Sequence, residues 1–169
     1  HVYTRAKQCP ELTEVLLATD DQRIADVADN LGVPFIMTRG NHESGSDRIF
    51  EAAQKLKLAD NAVLVNIQGD EPALDPSDIS ALVHPFFSDA KVMVSTLAHP
   101  LSEAEAANTN RVKMALALND NALYFSRSPI PFPRNRDSSP ENGRTAYLGH
   151  IGVYAYTFDA LKRFTSFPP

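Results

Sequence analysis

The sequence predicts an α/β fold in three layers, with a mostly parallel sheet, helices on both faces and an antiparallel excursion in its second half. Strand and helix patterns alternate through the first half at the spacing of βα units. Two short strand patterns then flank the Asx-rich turn at residues 119–121, as expected for a hairpin. A length of 169 residues with 43% hydrophobic and 22% charged residues is ordinary for a globular domain. We therefore expect a single domain over residues 1–169.

Helix and strand boundaries follow from capping residues and apolar periodicity. The predicted helices of the first half cover residues 1–9, 22–31, 47–58 and 76–87. The predicted N-caps are Asp20 or Asp21 for the second helix, Ser46 for the third and Asp75 for the fourth. The residues expected on the buried face of the second helix are Ile24, Val27, Ala28 and Leu31. The predicted strands cover residues 14–19, 33–38, 62–67 and 91–98.

The second half contains shorter elements. A short helix is predicted over residues 102–108, and the hairpin strands over residues 112–118 and 122–126. Residues 129–143, rich in Pro, Arg, Asn and Ser, predict a long surface loop. The strand over residues 147–156 contains Gly149 and Gly152, which allow another backbone or a ligand to approach closely. A final helix is predicted over residues 157–165.

Composition excludes several classes of protein. The net charge of −5 and the pI near 5.5 provide no basic surface for nucleic acid, so we predict no nucleic-acid partner. The single cysteine, Cys9, cannot form an internal disulfide, which suits a reducing cytoplasm. The sequence has no apolar run near the roughly 20 residues that a membrane-spanning helix requires, and we predict no membrane association.

An acidic turn follows the apolar run at residues 62–65. Gln68, Gly69, Asp70 and Glu71 come directly after this buried strand, and Pro72 sets a fixed exit. The carboxyl ends of such strands are where open α/β sheets bind ligands. Carboxylate oxygens suit Mg²⁺, which usually takes one or two carboxylates and leaves its other positions to water and phosphate. A turn with solvated acids is the alternative interpretation.

Three other segments carry polar groups at predicted strand ends. Residues 38–48 form a polar loop entering a helix N-terminus, where exposed amides can receive an anion or a base edge. Arg127 follows a strand and could bind a carboxylate with two parallel hydrogen bonds. His150 and Tyr154 share one face of the glycine-bearing strand. Taken singly, each has an ordinary structural explanation: a capped loop, a surface ion pair and a core histidine.

Five segments together resemble the 3-deoxy-manno-octulosonate (Kdo) cytidylyltransferases, or CMP-Kdo synthetases, within the wider sugar nucleotidyltransferase fold. No phosphate-loop, nucleophile-elbow or dinucleotide motif competes with this resemblance. The matching segments are Ala18-Thr19-Asp20, Met37-Thr38-Arg39 with His42 and Ser44-Gly45, Val65 to Pro72, Ala122 to Arg127 with Ile130-Pro131, and His150 to Tyr154. The resemblance covers nearly the whole chain.

The resemblance implies Mg²⁺-dependent transfer of CMP from CTP to Kdo, with release of pyrophosphate, in lipopolysaccharide synthesis. It makes Asp70 a metal ligand and, with Arg127, a catalytic residue. It assigns cytidine binding to residues 39–45, among them Arg39, His42, Ser44 and Gly45. The residues it places around the sugar acid are Gln68, Arg127, His150 and Tyr154, and Glu71 is a further substrate-binding residue. It also implies a homodimer.

Two parts of the family pattern are expected outside the 169 residues. An opening strand with an Arg- and Lys-bearing loop should precede residue 1, and a second metal-binding Asp should follow residue 169. We therefore expect residues 1–169 alone to be inactive. Two alternatives remain open: a cytidylyltransferase for another sugar acid, such as a sialic acid or an eight-carbon amino sugar, and a non-catalytic nucleotide-binding module.

Overall fold

The computed structural model describes residues 1–132 and 147–167. The chain divides into two compact units. The first unit comprises His1–Ser95 with Val153–Pro169, and the second comprises Thr96–Gly152. Much of the predicted surface loop, from residue 133 to residue 143, lies outside the described residues.

The described residues form seven strands and six helices, and helices and strands alternate up to residue 116. The strands are β1 (Leu17–Thr19), β2 (Phe35–Met37), β3 (Val63–Asn66), β4 (Val94–Leu101), β5 (Lys113–Leu116), β6 (Ala122–Ser126) and β7 (Tyr147–Thr157). The helices are α1 (Val2–Ala6), α2 (Gln22–Asn30), α3 (Gly45–Lys55), α4 (Pro76–Ser88), α5 (Glu103–Ala106) and α6 (Phe158–Phe164).

Parallel and antiparallel strand pairs occur together in the first unit. β1 and β2 pair in parallel, with Leu17 opposite Phe35. β3 pairs antiparallel with the second half of β7, which sets Asn66 opposite Tyr154. The predicted α/β class, with helices between strands, is confirmed.

A hairpin organises the second unit. β5 and β6 pair antiparallel, and β5 also pairs with the first half of β7. Asp120 adopts φ 63°, the left-handed conformation that a short polar residue tolerates in a tight turn. A Cβ added to Gly149 would lie 2.7 Å from His99 Nε2, so a side chain, and not the predicted backbone or ligand, comes close there. An added Cβ at Gly152 would meet nothing within 4 Å.

Capping residues begin the helices of the first unit. Asp21, rather than Asp20, caps α2, because its side chain accepts a hydrogen bond from the Arg23 backbone amide. Asp75 caps α4 as predicted. The predicted Ser46 cap of α3 is wrong, and Ser44 takes this role. Ser44 has an acid three residues later, Asp47, and the two form a reciprocal capping box, whereas the residue three after Ser46 is apolar.

The prediction for the buried face of α2 is largely wrong. Ala28 is buried as expected, but Val27 and Leu31 are 57% and 71% exposed and Ile24 is 47% exposed. Ala25, which was not predicted, is fully buried. The helix contacts β1 and β2, and its buried residues are the small Ala25 and Ala28. The larger apolar side chains lie to one side of these alanines on the helix surface.

A cavity of about 710 Å³ lies within the first unit. Residues 16–19, including β1, and residues 62–69, including β3, both line it, together with apolar side chains of α3 and α4. Among the described residues β1 and β3 are each the edge strand of a sheet. Each of the two strands that border the cavity therefore has one edge whose backbone groups pair with no other described strand.

In the described part of the chain, no helix combines the length and apolar character needed to cross a membrane.

Substituting Leu161→Ala should destabilise the protein much more than Phe164→Ala on the same helix. Leu161 is fully buried, whereas Phe164 is 59% exposed. We expect the first change to lower the free energy of unfolding by roughly 2–5 kcal/mol, because it leaves a cavity in the core. The second should lower it by less than about 1 kcal/mol. Urea denaturation followed by circular dichroism measures both, and equal losses would contradict this packing of α6.

Candidate functional site

The loop between β2 and α3 closes over the buried carboxylate of Glu51. Glu51 lies on α3 and is only 7% exposed. It accepts hydrogen bonds from the Arg39 backbone amide at 3.2 Å and the Arg39 side-chain Nε at 3.1 Å. The ammonium of Lys55 lies 2.8 Å from Glu51 Oε1, and His42 Nε2 lies 2.5 Å from Glu51 Oε2. Two predicted nucleotide-binding residues, Arg39 and His42, therefore share one anionic anchor.

These contacts keep Glu51 ionised. The hydrogen bond from the Lys55 ammonium makes the largest contribution to holding the pKa of Glu51 well below its usual range. The Arg39 backbone amide and the His42 ring lower this pKa further. Burial acts in the opposite direction and is outweighed. Sequence reasoning missed Glu51. The sequence feature that could have indicated its burial is an acidic residue directly before two small apolar residues, Ala52 and Ala53, with a lysine four residues later to pair with it.

A second ion pair ties the same loop to the end of β1. Arg48 Nη1 lies 2.8 Å from Asp20 Oδ1 and donates a 2.8 Å hydrogen bond to Thr38 Oγ1. The Arg48 side chain lowers the pKa of Asp20. A Cβ added to Gly40 would lie 3.3 Å from Asp20 Oδ2, so the backbone of the loop passes close to this carboxylate. The resemblance includes Asp20 but assigns it no role. In the structure, Asp20 helps to hold the loop in place through Arg48.

The loop also meets the acidic turn. A Cβ added to Gly45 would lie 2.9 Å from Gln68 Nε2, a distance that real Cβ atoms essentially never show. Gln68 Nε2 in turn donates a 3.0 Å hydrogen bond to Oδ1 of the buried Asn66. A side chain at position 45 would displace the end of the Gln68 side chain, and the structure brings together Gly45 and Gln68, two predicted binding residues from separate segments.

Asp70 lies at the exposed centre of a turn. The Glu71 amide donates to the Gln68 carbonyl at 3.2 Å, and the amide of the buried Leu74 donates to the Glu71 carbonyl. These bonds hold the backbone while leaving the Asp70 side chain exposed. Within residues 1–132 and 147–167, no group of three His, Cys, Asp or Glu side chains could hold a metal. Asp70 offers one carboxylate, which fits Mg²⁺ where phosphate and water supply the remaining oxygens.

Tyr154 is placed by its register with β3. It lies opposite Asn66 across the strand pair and stacks on Tyr156, with ring centroids 5.9 Å apart. Burial raises the pKa of Tyr154, so the phenol stays protonated at neutral pH. Because Asn66 also contacts Gln68, Tyr154 and Gln68 flank the same buried amide.

Arg127 and His150 belong to the second unit. Arg127 is exposed, and its Nη1 donates a 3.1 Å hydrogen bond to the Thr109 carbonyl. His150 Nε2 lies 2.9 Å from Thr96 Oγ1, and its ring packs edge-on against Phe125. Burial lowers the pKa of His150, which favours the neutral imidazole at neutral pH. A neutral ring can both donate and accept hydrogen bonds.

Comparisons with known proteins identify relatives over the whole chain. The family model for cytidylyltransferases matches residues 1–169. A 3-deoxy-manno-octulosonate cytidylyltransferase of Nitratidesulfovibrio vulgaris strain DP4 is 56% identical over 170 residues, covering 100% of this chain and 66% of the relative. The enzyme of that name from Escherichia coli is 43% identical over 168 residues, covering 99% and 65%. The chain thus spans just under two thirds of the length of these relatives.

Solved structures agree with the sequence relatives. A CMP:2-keto-3-deoxy-manno-octonic acid synthetase complexed with CTP superposes with a TM-score of 0.90 at 43% identity, covering 100% of this chain and 66% of that chain. A proposed glucose-1-phosphate thymidylyltransferase from Bacillus anthracis superposes with a TM-score of 0.61 at 18% identity, covering 99% and 61%, and shows a shared fold alone. The resemblance stated from the motifs and the predicted sugar nucleotidyltransferase fold are both confirmed. The chain belongs to the cytidylyltransferase family.

Proposed function

We propose that the full-length protein containing this chain transfers CMP from CTP to Kdo and releases pyrophosphate, as a step in lipopolysaccharide synthesis. The geometric observation that carries the proposal is the contact of Gly45 with Gln68, because it joins the proposed nucleotide loop to the proposed metal and sugar turn. The named relatives and the neighbour solved with CTP support the same reaction.

The nucleotide would lie against residues 39–45. Glu51 holds Arg39 and His42 from beneath, so the loop is ordered before the ligand arrives. Ser44 and Gly45 stand at the N-terminus of the eleven-residue α3, where backbone amides favour anionic or acceptor groups. The absence of a side chain at Gly45 leaves the backbone accessible beside Gln68.

Mg²⁺ would be held by Asp70 together with oxygens of the nucleotide and water. A bound Mg²⁺ neutralises charge on a triphosphate. Glu71 follows Asp70 on the same turn and is a further proposed substrate-binding residue. The hydrogen bonds of the Glu71 and Leu74 amides fix the backbone that presents both residues.

The sugar acid would be recognised by its carboxylate and its hydroxyl groups. Arg127 provides a planar guanidinium that can grip a carboxylate with two hydrogen bonds. The neutral imidazole of His150 and the protonated phenol of Tyr154 can each donate and accept hydrogen bonds with hydroxyl groups. Gln68 supplies an amide for the same purpose.

The reaction requires no protein nucleophile. The anomeric oxygen of the sugar forms a bond to the α-phosphorus of CTP, and the bond from that phosphorus to the bridging oxygen of pyrophosphate breaks. The hydroxyl proton passes from the attacking oxygen to water, and the electron pair of the broken bond leaves with pyrophosphate. Holding both substrates in line, with positive charge beside the phosphates, supplies much of the rate.

The predicted opening strand, the homodimer and the cytoplasmic location remain parts of this proposal. The 710 Å³ cavity supports the opening strand, because the edges of β1 and β3 border it and could both pair with an inserted strand. Competition kinetics with Kdo, a sialic acid and an eight-carbon amino sugar would test the sugar preference of the full-length protein. Failure to bind CTP in calorimetry would contradict the nucleotide-binding part.

Substituting Asp70→Asn in the full-length protein should abolish Mg²⁺-dependent release of pyrophosphate. The amide keeps the shape of the side chain but loses the charge that attracts the cation. A coupled pyrophosphate assay with a Mg²⁺ titration measures the effect. Asp60→Asn, which removes an exposed carboxylate before β3, is the matched control and should retain activity. Unchanged activity and Mg²⁺ dependence for the Asp70 variant would refute the metal role.

Substituting Glu51→Gln should raise the KM for CTP about 10- to 100-fold, because misplacing binding groups by about 1 Å can have effects of that size. Glu43→Gln removes an exposed acid of the same loop and should leave this KM unchanged. The pKa of Glu51 is lower in the folded protein than in the unfolded chain, where it is about 4.3. The stabilisation of the loop by Glu51 is therefore complete above about pH 4.3 and is lost as the pH falls further and the carboxylate is protonated. Equal KM values for the two variants would contradict the anchoring role.

Residues 1–169 alone should show no turnover with CTP, Kdo and Mg²⁺. Asp70 provides one carboxylate, and among the described residues no further acids complete a metal site. The same pyrophosphate assay, run beside the full-length protein, tests this expectation. Turnover by residues 1–169 would show that these residues hold the complete catalytic machinery.

A further inference from the structure

The most deeply buried cation among the described residues is Lys113 on β5. Its side chain is 0% exposed and is the largest fully buried one in the described chain. The Nζ donates to the Asn108 carbonyl at 3.1 Å, to the Arg111 carbonyl at 2.8 Å, and to the Arg127 carbonyl. An ammonium has three N–H donors, and three carbonyls accept them.

This arrangement differs from an ordinary buried ion pair. No carboxylate forms a salt bridge with Lys113 among residues 1–132 and 147–167, so backbone carbonyl oxygens alone compensate its charge there. Burying an ammonium is costly unless all its donors are satisfied, and an apolar residue would fill the same space without that cost. The charged group therefore fixes a particular backbone geometry, and its acceptors show which one.

The three acceptors connect a turn with the end of β6. Two belong to the turn at residues 108–111, and the third is the carbonyl of Arg127 itself. The turn also presents the Thr109 carbonyl, which accepts the 3.1 Å hydrogen bond from Arg127 Nη1. Arg127 is thus held at its backbone by Lys113 and at its guanidinium by a turn that Lys113 also holds.

We propose that Lys113 is a positioning residue that orients Arg127 toward the carboxylate of the sugar acid. The inference rests on the proposed function, since it takes Arg127 as the group that binds this carboxylate. Among residues 1–132 and 147–167, the guanidinium contacts only the Thr109 carbonyl, through one of its five N–H groups, and two of the others can make a two-pronged carboxylate contact. Without Lys113, both the Arg127 backbone and the turn that holds its guanidinium lose their common anchor.

The test uses Lys113→Met in the full-length protein, with Met114→Ala as the matched control. Met114 is the next residue on β5, is 4% exposed, and points to the opposite face of the strand, so its truncation also disturbs the core. The Lys113 variant should raise the KM for the sugar acid about tenfold or more while changing the KM for CTP less than about twofold. The Met114 control should shift neither KM selectively.

A double-mutant cycle with Arg127→Met separates positioning from general stability. If Lys113 acts through Arg127, its effect on the KM for the sugar acid should disappear in the Arg127→Met background. Additive effects, or equal increases in both KM values for Lys113→Met, would overturn the inference while leaving the proposed reaction intact. Should Lys113→Met fail to fold, Lys113→Gln retains two N–H donors and should show a smaller, equally selective increase.

Amide hydrogen exchange tests the inference independently of turnover. Residues 126–128 should exchange faster in the Lys113 variant than in the Met114 control, at a temperature where circular dichroism shows both folded. Unchanged exchange there would overturn the anchoring of Arg127 whatever the activity. Absence of pyrophosphate release by the unmodified full-length protein with every sugar acid tested would instead contradict the proposed function, and with it the assignment of a carboxylate ligand to Arg127.

Discussion

The Glu51 carboxylate, buried beneath residues 39–45, accepts hydrogen bonds from a backbone amide, a guanidinium and an ammonium group at once. A buried charge is costly unless it is fully compensated, so these donors cannot move away without leaving an unpaired carboxylate. The loop conformation is therefore set by an anion on the helix that follows it. The position of Arg39 and His42 depends on this arrangement, and so does the approach of the loop to the rest of the first unit.

The loop approaches the acidic turn at Gly45. The backbone at Gly45 lies so near Gln68 that a Cβ would be 2.9 Å from the amide nitrogen. Gln68 is itself held by the buried Asn66, which faces Tyr154 across β3 and β7. Strand register, side-chain amide and loop backbone therefore form one continuous set of contacts. Within the first unit, these contacts bring together motifs that lie far apart in the sequence.

Local signals predicted most of the fold and part of the site. The Asp75 cap, the hairpin turn at Asp120 and the strand ending in the acidic turn each depend on neighbouring residues, and each was found. Ser46 was predicted as the N-cap of α3 in place of Ser44, because apolar periodicity does not reveal the reciprocal bonds between Ser44 and Asp47. Glu51 and Lys113 were missed for a different reason: the groups that compensate a buried charge come from distant or irregular segments, and periodicity does not reveal them.

Glu51 and Lys113 are both buried charges, of opposite sign, that are compensated by groups of irregular segments. Glu51 is an anion surrounded by donors from a loop, and Lys113 is a cation surrounded by carbonyls from a turn and a strand end. In each case a charged group buried in a regular element determines the conformation of irregular backbone, where no repeating hydrogen-bond ladder could do so. Each irregular segment carries a residue proposed to bind an anionic substrate, Arg39 in one unit and Arg127 in the other. Exposed arginines on irregular segments are thus held in place by buried charges on regular elements.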